Sequence, residues 1–421
     1  MNAILDAPAR GFLACYEATK NLLPGDAGMR EQAARLFRAR GLPTPREEAW
    51  KYTPLRALNE FDFKTPAARA ASEAISAPAL AAELGPRLSF INGRAQNLSP
   101  ELPNGIRLES FAERPVLGMT ADGQYNFIET LNVMLAADGA VLEVTEGQDA
   151  HTLVLLHLAA LAEAEAVGLH VRHRITLKRK ARLTLIELAT GAGRYLHNPF
   201  IEISLEEGAS LQHVRLQEES AQAFHLGAVA AKIGAGARYD AFFLHLGAQL
   251  SRTELHVMLE EPSASFQFGA AQLLRSAQHG DITTEIFHRA PGCASRQTVK
   301  SVIDERARGV FQGRITVERG AQKTDGYQMN QALLLSSEAE IDSKPQLEIY
   351  ADDVKCSHGA TVGEIDPEQI FYLRSRGVPE AEARGILVQA FLAEALETVQ
   401  AETARNMLNA AVERWWEGRA Q

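Results

Sequence analysis

The feature that most narrows what this chain can fold into is a short pattern that returns six times. Lys180-Ala181-Arg182-Leu183 is followed by Gly208-Ala209-Ser210-Leu211, Gly236-Ala237-Arg238-Tyr239, Ser263-Ala264-Ser265-Phe266, Cys293-Ala294-Ser295-Arg296 and Gly320-Ala321-Gln322-Lys323. The alanines stand 28, 28, 27, 30 and 27 residues apart. Each pattern leads into a strand-like run, such as Leu183-Thr184-Leu185-Ile186 or Tyr239-Asp240-Ala241-Phe242-Phe243. A second run falls near midway, as in Phe200-Ile201-Glu202-Ile203. A unit of this size cannot bury its apolar face alone, but stacked copies share one continuous core. The period therefore predicts a β-solenoid with a small residue at each corner. The rival is an antiparallel sandwich or barrel, which also gives a strand every dozen residues. Its hairpins usually carry Asn-Gly or Asp-Gly turns, and these are scarce between residues 140 and 360.

On both sides of this region the period changes to that of helices. Residues 1–63 read as helical: Phe12, Leu13 and Tyr16 share one face, and Ala33, Leu36 and Phe37 share another before Gly41 and Pro43. Trp50 and Tyr52 anchor a further turn. Residues 64–84, rich in alanine with Pro66 and Pro78, read as a mobile linker, and residues 85–139 as a mixed connecting segment. The coil stack is expected over residues 140–365. Asp366-Pro367 then gives an N-cap followed by proline at the first helical position. From there residues 366–421 carry three helices, the first burying Ile370, Phe371 and Leu373, the second Ile386, Leu387, Ala390 and Phe391, and the third ending at Trp415-Trp416. Two roles suit them: a cap on the end of the stack, which every solenoid needs, or a docking surface for a partner.

Composition excludes several classes of function. The net charge is −10 (43 basic against 53 acidic residues), which argues against nucleic acid as a main partner. No apolar run approaches the ~18 residues of a membrane span, and residues 1–11 lack the apolar stretch of a secretory leader. Cys15, Cys293 and Cys356 are too few and too scattered for a disulfide framework, so a reducing cytoplasm is expected. No phosphate-binding loop is present, because Gly191-Ala192-Gly193 and Gly234-Ala235-Gly236 lack the rest of a nucleotide fingerprint. Any ATP-driven step must be powered by a partner.

The one suggestive chemical pair is Cys356-Ser357-His358. In a strand, residues two apart point to one face, so the thiol and the imidazole stand side by side as half of a soft metal site. A structural zinc site wants four ligands, and no Cys-x2-Cys exists; a metal here must borrow ligands from a second chain. The bland alternative is a packed thiol beside a hydrogen-bonded imidazole. The other histidines, among them His170, His173, His197, His213, His225, His245, His256, His279 and His288, scatter through the repeats and read as surface or satisfied core residues. His170 and His173 would face opposite ways. Cys15 reads as a buried structural thiol and Cys293 as a bystander in a turn. Asp304-Glu305 and Asp352-Asp353 are the only hint of a carbohydrate-cleaving β-helix enzyme, and neighbours on a strand point apart.

Three stretches carry a resemblance to a known family: Ala339-Glu340-Ile341-Asp342-Ser343-Lys344-Pro345-Gln346-Leu347-Glu348-Ile349, Asp352-Asp353-Val354-Lys355-Cys356-Ser357-His358-Gly359-Ala360-Thr361, and Phe371-Tyr372-Leu373-Arg374-Ser375-Arg376-Gly377. They resemble the SufB/SufD family of iron–sulfur cluster assembly proteins, and Cys-Ser-His resembles its SufD branch. Glu48-Ala49-Trp50-Lys51-Tyr52-Thr53 and Phe90-Ile91-Asn92-Gly93-Arg94 are similar to the same branch. The resemblance implies a right-handed parallel β-helix between helical segments. It implies a non-enzymatic role beside a SufB-like protein and a SufC-like ATPase that docks on residues 366–421, and an iron or nascent iron–sulfur cluster held transiently at the SufB interface. His358, with Cys356 nearby, would be its ligand from this chain. In isolation the chain would pair with itself through the surface meant for SufB. A carbohydrate-active enzyme and a purely structural interaction solenoid are the competing readings.

Overall fold

The computed structural model describes residues 7–61, 63–64, 84–97, 102–118, 126–161 and 166–418. The expected linker lies almost wholly outside them. Among the described residues the strands form two sheets that share one alternating path: ten strands in one, nine in the other. From Ala140–Val144 to Lys355–Gly363 the chain alternates between the sheets, so each strand inside the stack pairs in parallel with the strands of its own sheet one coil before and one coil after. This is a parallel β-solenoid of about 8 turns with helices toward both termini.

The corners explain the sequence period, with one adjustment. Lys180, Gly208, Gly236, Ser263, Gly292 and Lys323 all have positive φ, between 56° and 69°, and their N–H groups bond in series from coil to coil. A left-handed residue turns the chain, and the next side chain, which points inward, must be small. Those inward residues are Ala181, Ala209, Ala237, Ala264, Cys293 and Thr324, all buried. The last two are not the expected Ala294 and Ala321. Strand register pairs Ser265 with Ala294, which leaves Cys293 opposite Ala264. The turn after Val317 has extra residues, which carry the corner on to Thr324. Cys293 is thus a corner-packing residue, its thiol donating to the Glu261 carbonyl at 3.3 Å.

Alternation then decides what each strand buries. On Arg182–Ala192, Leu183 and Leu185 face the solenoid interior while Ile186 and Leu188 face outward. Both faces are buried, each such aliphatic side chain contributing about 1.5–3 kcal/mol, because helices cover the outside. Helices α1 (Ala7–Thr19), α2 (Ala27–Arg40) and α3 (Phe127–Leu135) pack Phe12, Phe37 and Phe127 with Leu196, Phe200 and Phe224 on the outer face of the nine-stranded sheet. Asp26 caps α2, accepting from the Met29 N–H at 2.9 Å. Arg30 of α2 is buried and donates to the Val133 and Ala136 carbonyls at 2.9 and 2.7 Å, satisfying the C-terminal end of α3. Trp50 sits in a single 3-10 turn, Glu48–Trp50.

Helices α4 (Pro367–Ser375), α5 (Glu380–Leu396) and α6 (Glu402–Glu417) follow the last coil. Asp366 caps α4 as its sequence predicts, accepting from Glu368 N–H at 2.8 Å. They do not cap the stack. Val388, Leu392, Leu396, Met407, Leu408 and Trp415 lie along the outer face of the ten-stranded sheet, against Ile186, Leu216, Leu244 and Leu273. The buried side of α5 is therefore Ala383, Val388, Leu392 and Ala395, one position round from the expected Leu387 and Phe391, and Ile386 is exposed. In α4 only Ile370 is buried; Phe371 is 75% exposed and Tyr372 58%.

Candidate functional site

Cys356 and His358 lie on Lys355–Gly363, the last strand of the ten-stranded sheet. Its partner strand on one side is Asp325–Leu334, with Cys356 opposite Gly326 and His358 opposite Gln328. Among the described residues no strand pairs on the other side. The ladder places His358 in line with Gln328, Gln297 and Phe268, all buried inside the coils. His358 occupies an inward position with no further coil to enclose it, and so it is exposed. Cys356 shares that face and is half-buried against the core. The expected side-by-side placement of thiol and imidazole therefore holds as a shared face at the open end of the stack.

The environment differs for the two groups. Burial pushes the Cys356 thiol above its ordinary pKa; a hydrogen bond with the Gly326 backbone opposes this and the Asp325 carboxylate adds to it. The thiol is thus biased against the thiolate, which is the form that binds metal. A Cβ on Gly326 would stand 3.2 Å from the Cys356 sulfur, so glycine there gives the thiol its space. Neither residue joins a group of three ligating side chains among the described residues. The end of the stack thus holds one imidazole and one thiol on a shared face. Around it Ile349, Tyr350 and Val362 are exposed, and the exposed Phe371 and Tyr372 of α4 follow the same coil. A cavity of about 560 Å³ opens between Leu334–Ser337, α4 and the start of α5, lined by Ile365, Ile370, Phe371, Arg374 and Arg384 among others.

The carboxylate pairs do not assemble a glycosidase site. Asp304 is buried while Glu305 at the same corner is exposed, and Asp353 is taken up in a corner, its carbonyl accepting from Lys323 N–H and its N–H donating to Gln322. Cys15 is half-buried, with its thiol donating to the Phe63 carbonyl at 3.1 Å. His170 and His173 do face opposite ways: His170 meets Asn198 and the Phe12 ring, His173 the Phe90 and His157 rings.

What the sequence reading missed lies inside the coils. His157, His173, His197, His213, His225 and His245 are all buried, beside Glu187, Arg215, Gln217 and Glu219. Glu187 accepts from Arg215 at 2.6 Å and contacts His213 at 3.0 Å. The signal was present: Glu187 and Arg215 stand one period apart and pair across adjacent strands, as do His197 and His225.

The fold is a parallel coil stack with an imidazole and a thiol on one face of its last strand. Comparison with known proteins gives its family. Residues 160–391 match the model described as "SUF system FeS cluster assembly, SufBD core domain", and residues 20–154 match that for the SufBD protein N-terminal region. The chain belongs to the SufB/SufD family. It is 33% identical over 376 residues to the iron–sulfur cluster assembly protein SufD of Escherichia coli, covering 88% of this chain and 89% of that one. It is 32% identical over 410 residues to a SufBD family iron–sulfur cluster assembly protein of Synechocystis (91% and 89%). A chloroplastic protein of Arabidopsis thaliana, ABCI7, is 28% identical over 327 residues (73% and 69%). No described helix is long and apolar enough to cross a membrane.

Proposed function

We propose that this chain is the SufD-type, non-enzymatic member of a cytoplasmic iron–sulfur cluster assembly complex. Its last coil docks against a SufB-like partner, whose ligands close around iron or a nascent cluster held by the neutral imidazole of His358. Cys356, kept in the thiol form by burial, joins only once a metal displaces its proton. The exposed aromatic residues of α4 and the cavity beside them receive a SufC-like ATPase, which supplies the ATP-driven step that this chain has no phosphate loop to perform.

The observation that carries the reading is the position of His358: inward in register, yet exposed, because the stack stops there. A second copy could cover the same unpaired strand, so the isolated chain forms a two-fold dimer through it. The test is co-purification with SufB- and SufC-type partners followed by anaerobic reconstitution. His358→Ala is expected to preserve the complex and lower the cluster absorbance. Unchanged cluster yield and iron content would overturn the role.

A further inference from the structure

We propose that His197, Glu219 and His225 form a binding site for one divalent first-row transition cation inside the coil stack, separate from the terminal edge. The nearest two atoms of each pair are close: His197 Nδ1 lies 3.0 Å from one Glu219 carboxylate oxygen, and His225 Nδ1 lies 2.7 Å from the other. His197 and His225 are direct neighbours on adjacent strands, and Glu219 follows Ser210–Glu218, on the facing sheet. All three residues are buried, and one ligand atom from each lies within 4.8 Å of the others. Two imidazoles and one carboxylate suit cations such as Fe(II), Co(II) or Zn(II).

Three further observations favour a cation over a merely structural network. Glu187 has a guanidinium to balance its charge, whereas the polar partners of the Glu219 carboxylate are the two imidazoles, the Gln217 amide at 3.0 Å and the Tyr195 hydroxyl. Second, His225 Nε2 and both ring nitrogens of His157 and His245 have no hydrogen-bond partner among the described residues; the His157 ring stands 5.0 Å from that of His197. An ion on Nδ1 moves the His225 proton to Nε2, which is free to carry it. Third, a cavity of about 10 Å³, enough for one small ion or water, borders the group on its His197 side, lined by His157, Tyr195, His197 and Glu219 but not by His225.

The surroundings hold the carboxylate still. Gln217 donates to Glu219 through Nε2 while its Oε1 accepts from the Gly247 N–H at 3.1 Å, which fixes the amide's orientation. Gly247 presses so close that a Cβ there would lie 2.2 Å from the Glu219 nitrogen. Such outer partners orient first ligands in metal sites.

The test adds Co(II) alone to the purified full-length chain. One equivalent is expected to bind with visible d–d absorption, retained in His358→Ala and lost in Glu219→Gln, while Gln217→Ala weakens binding by about 10–100-fold. Because Glu219→Gln could disturb folding, wild-type crystals soaked in Co(II) are measured at the cobalt edge. An anomalous peak between His197 and His225 supports the site. No peak there, or an absorption signal that survives Glu219→Gln or vanishes with His358→Ala, overturns it.

Discussion

Two sets of imidazoles occupy the same kind of position in this molecule and meet opposite fates. His213 and His358 belong to one inward-facing column of the ten-stranded sheet, with Ala241, Phe268, Gln297 and Gln328 between them. His213 is sealed in the stack, pinned between Glu187 and the Tyr239 hydroxyl at 3.0 Å each. His358 is open to whatever meets the end of the stack. In a solenoid, then, chemistry depends on rung as much as on face: the same register makes a core network in the middle and an exposed imidazole at the edge.

The comparison breaks most visibly in stability. Arg215→Ala leaves Glu187 ionised in the interior with only imidazoles beside it, and should cost about 3–5 kcal/mol in urea unfolding, whereas His358→Ala should change stability by less than about 0.5 kcal/mol. Equal effects would mean that the two regions are not distinct environments.

Acid sensitivity comes next. Burial lowers His245 to about 3 and His173 to about 4, both below the unfolded-chain value near 6.5. The unfolded state therefore binds protons that the folded state refuses. Their contribution is fully present above pH ~6.5 and is lost progressively as pH falls toward 4, by up to about 3 kcal/mol per group. Both His245 nitrogens lack partners, so His245→Leu should flatten the pH–stability curve at little or no cost at pH 7. A curve unaltered by His245→Leu would show that this ring is not held neutral.

The smallest effect concerns the edge itself. Val362→Lys, on the exposed last strand, should leave stability within about 0.5 kcal/mol yet abolish self-association in analytical ultracentrifugation, because lysine on an unpaired edge opposes strand addition. A dimer that persists unchanged must be built elsewhere.

How far the sequence foretold this depends on which physical signal each element leaves. The coil period was legible because a corner has a strict steric demand, and Ala181, Ala209, Ala237 and Ala264 announce it. It slipped at Cys293 and Thr324, where a left-handed residue, not an alanine, defines the turn. The Asp366 cap was legible as local chemistry, whereas the burial of α5 was not, since its apolar residues spread around the helix and only the sheet beneath selects Val388 and Leu392. Cys356 and His358 could be placed on one face by alternation alone. The interior cluster went unread because Glu219 reaches His197 and His225 from the facing sheet, a proximity that spacing along one chain does not encode.

The helical layers carry a last implication. With α1–α3 against one broad side and α5–α6 against the other, the flanks of the coil stack are already spent. Among the described residues, the strand edges still open lie at the two ends of the stack, at Glu340–Ile349 and Lys355–Gly363 on one end and at Arg94–Asn97 and Ile106–Ser110 on the other. A chain that added to the last rung strand against strand would extend the ladder along the long axis, and would lay its own residues directly over His358.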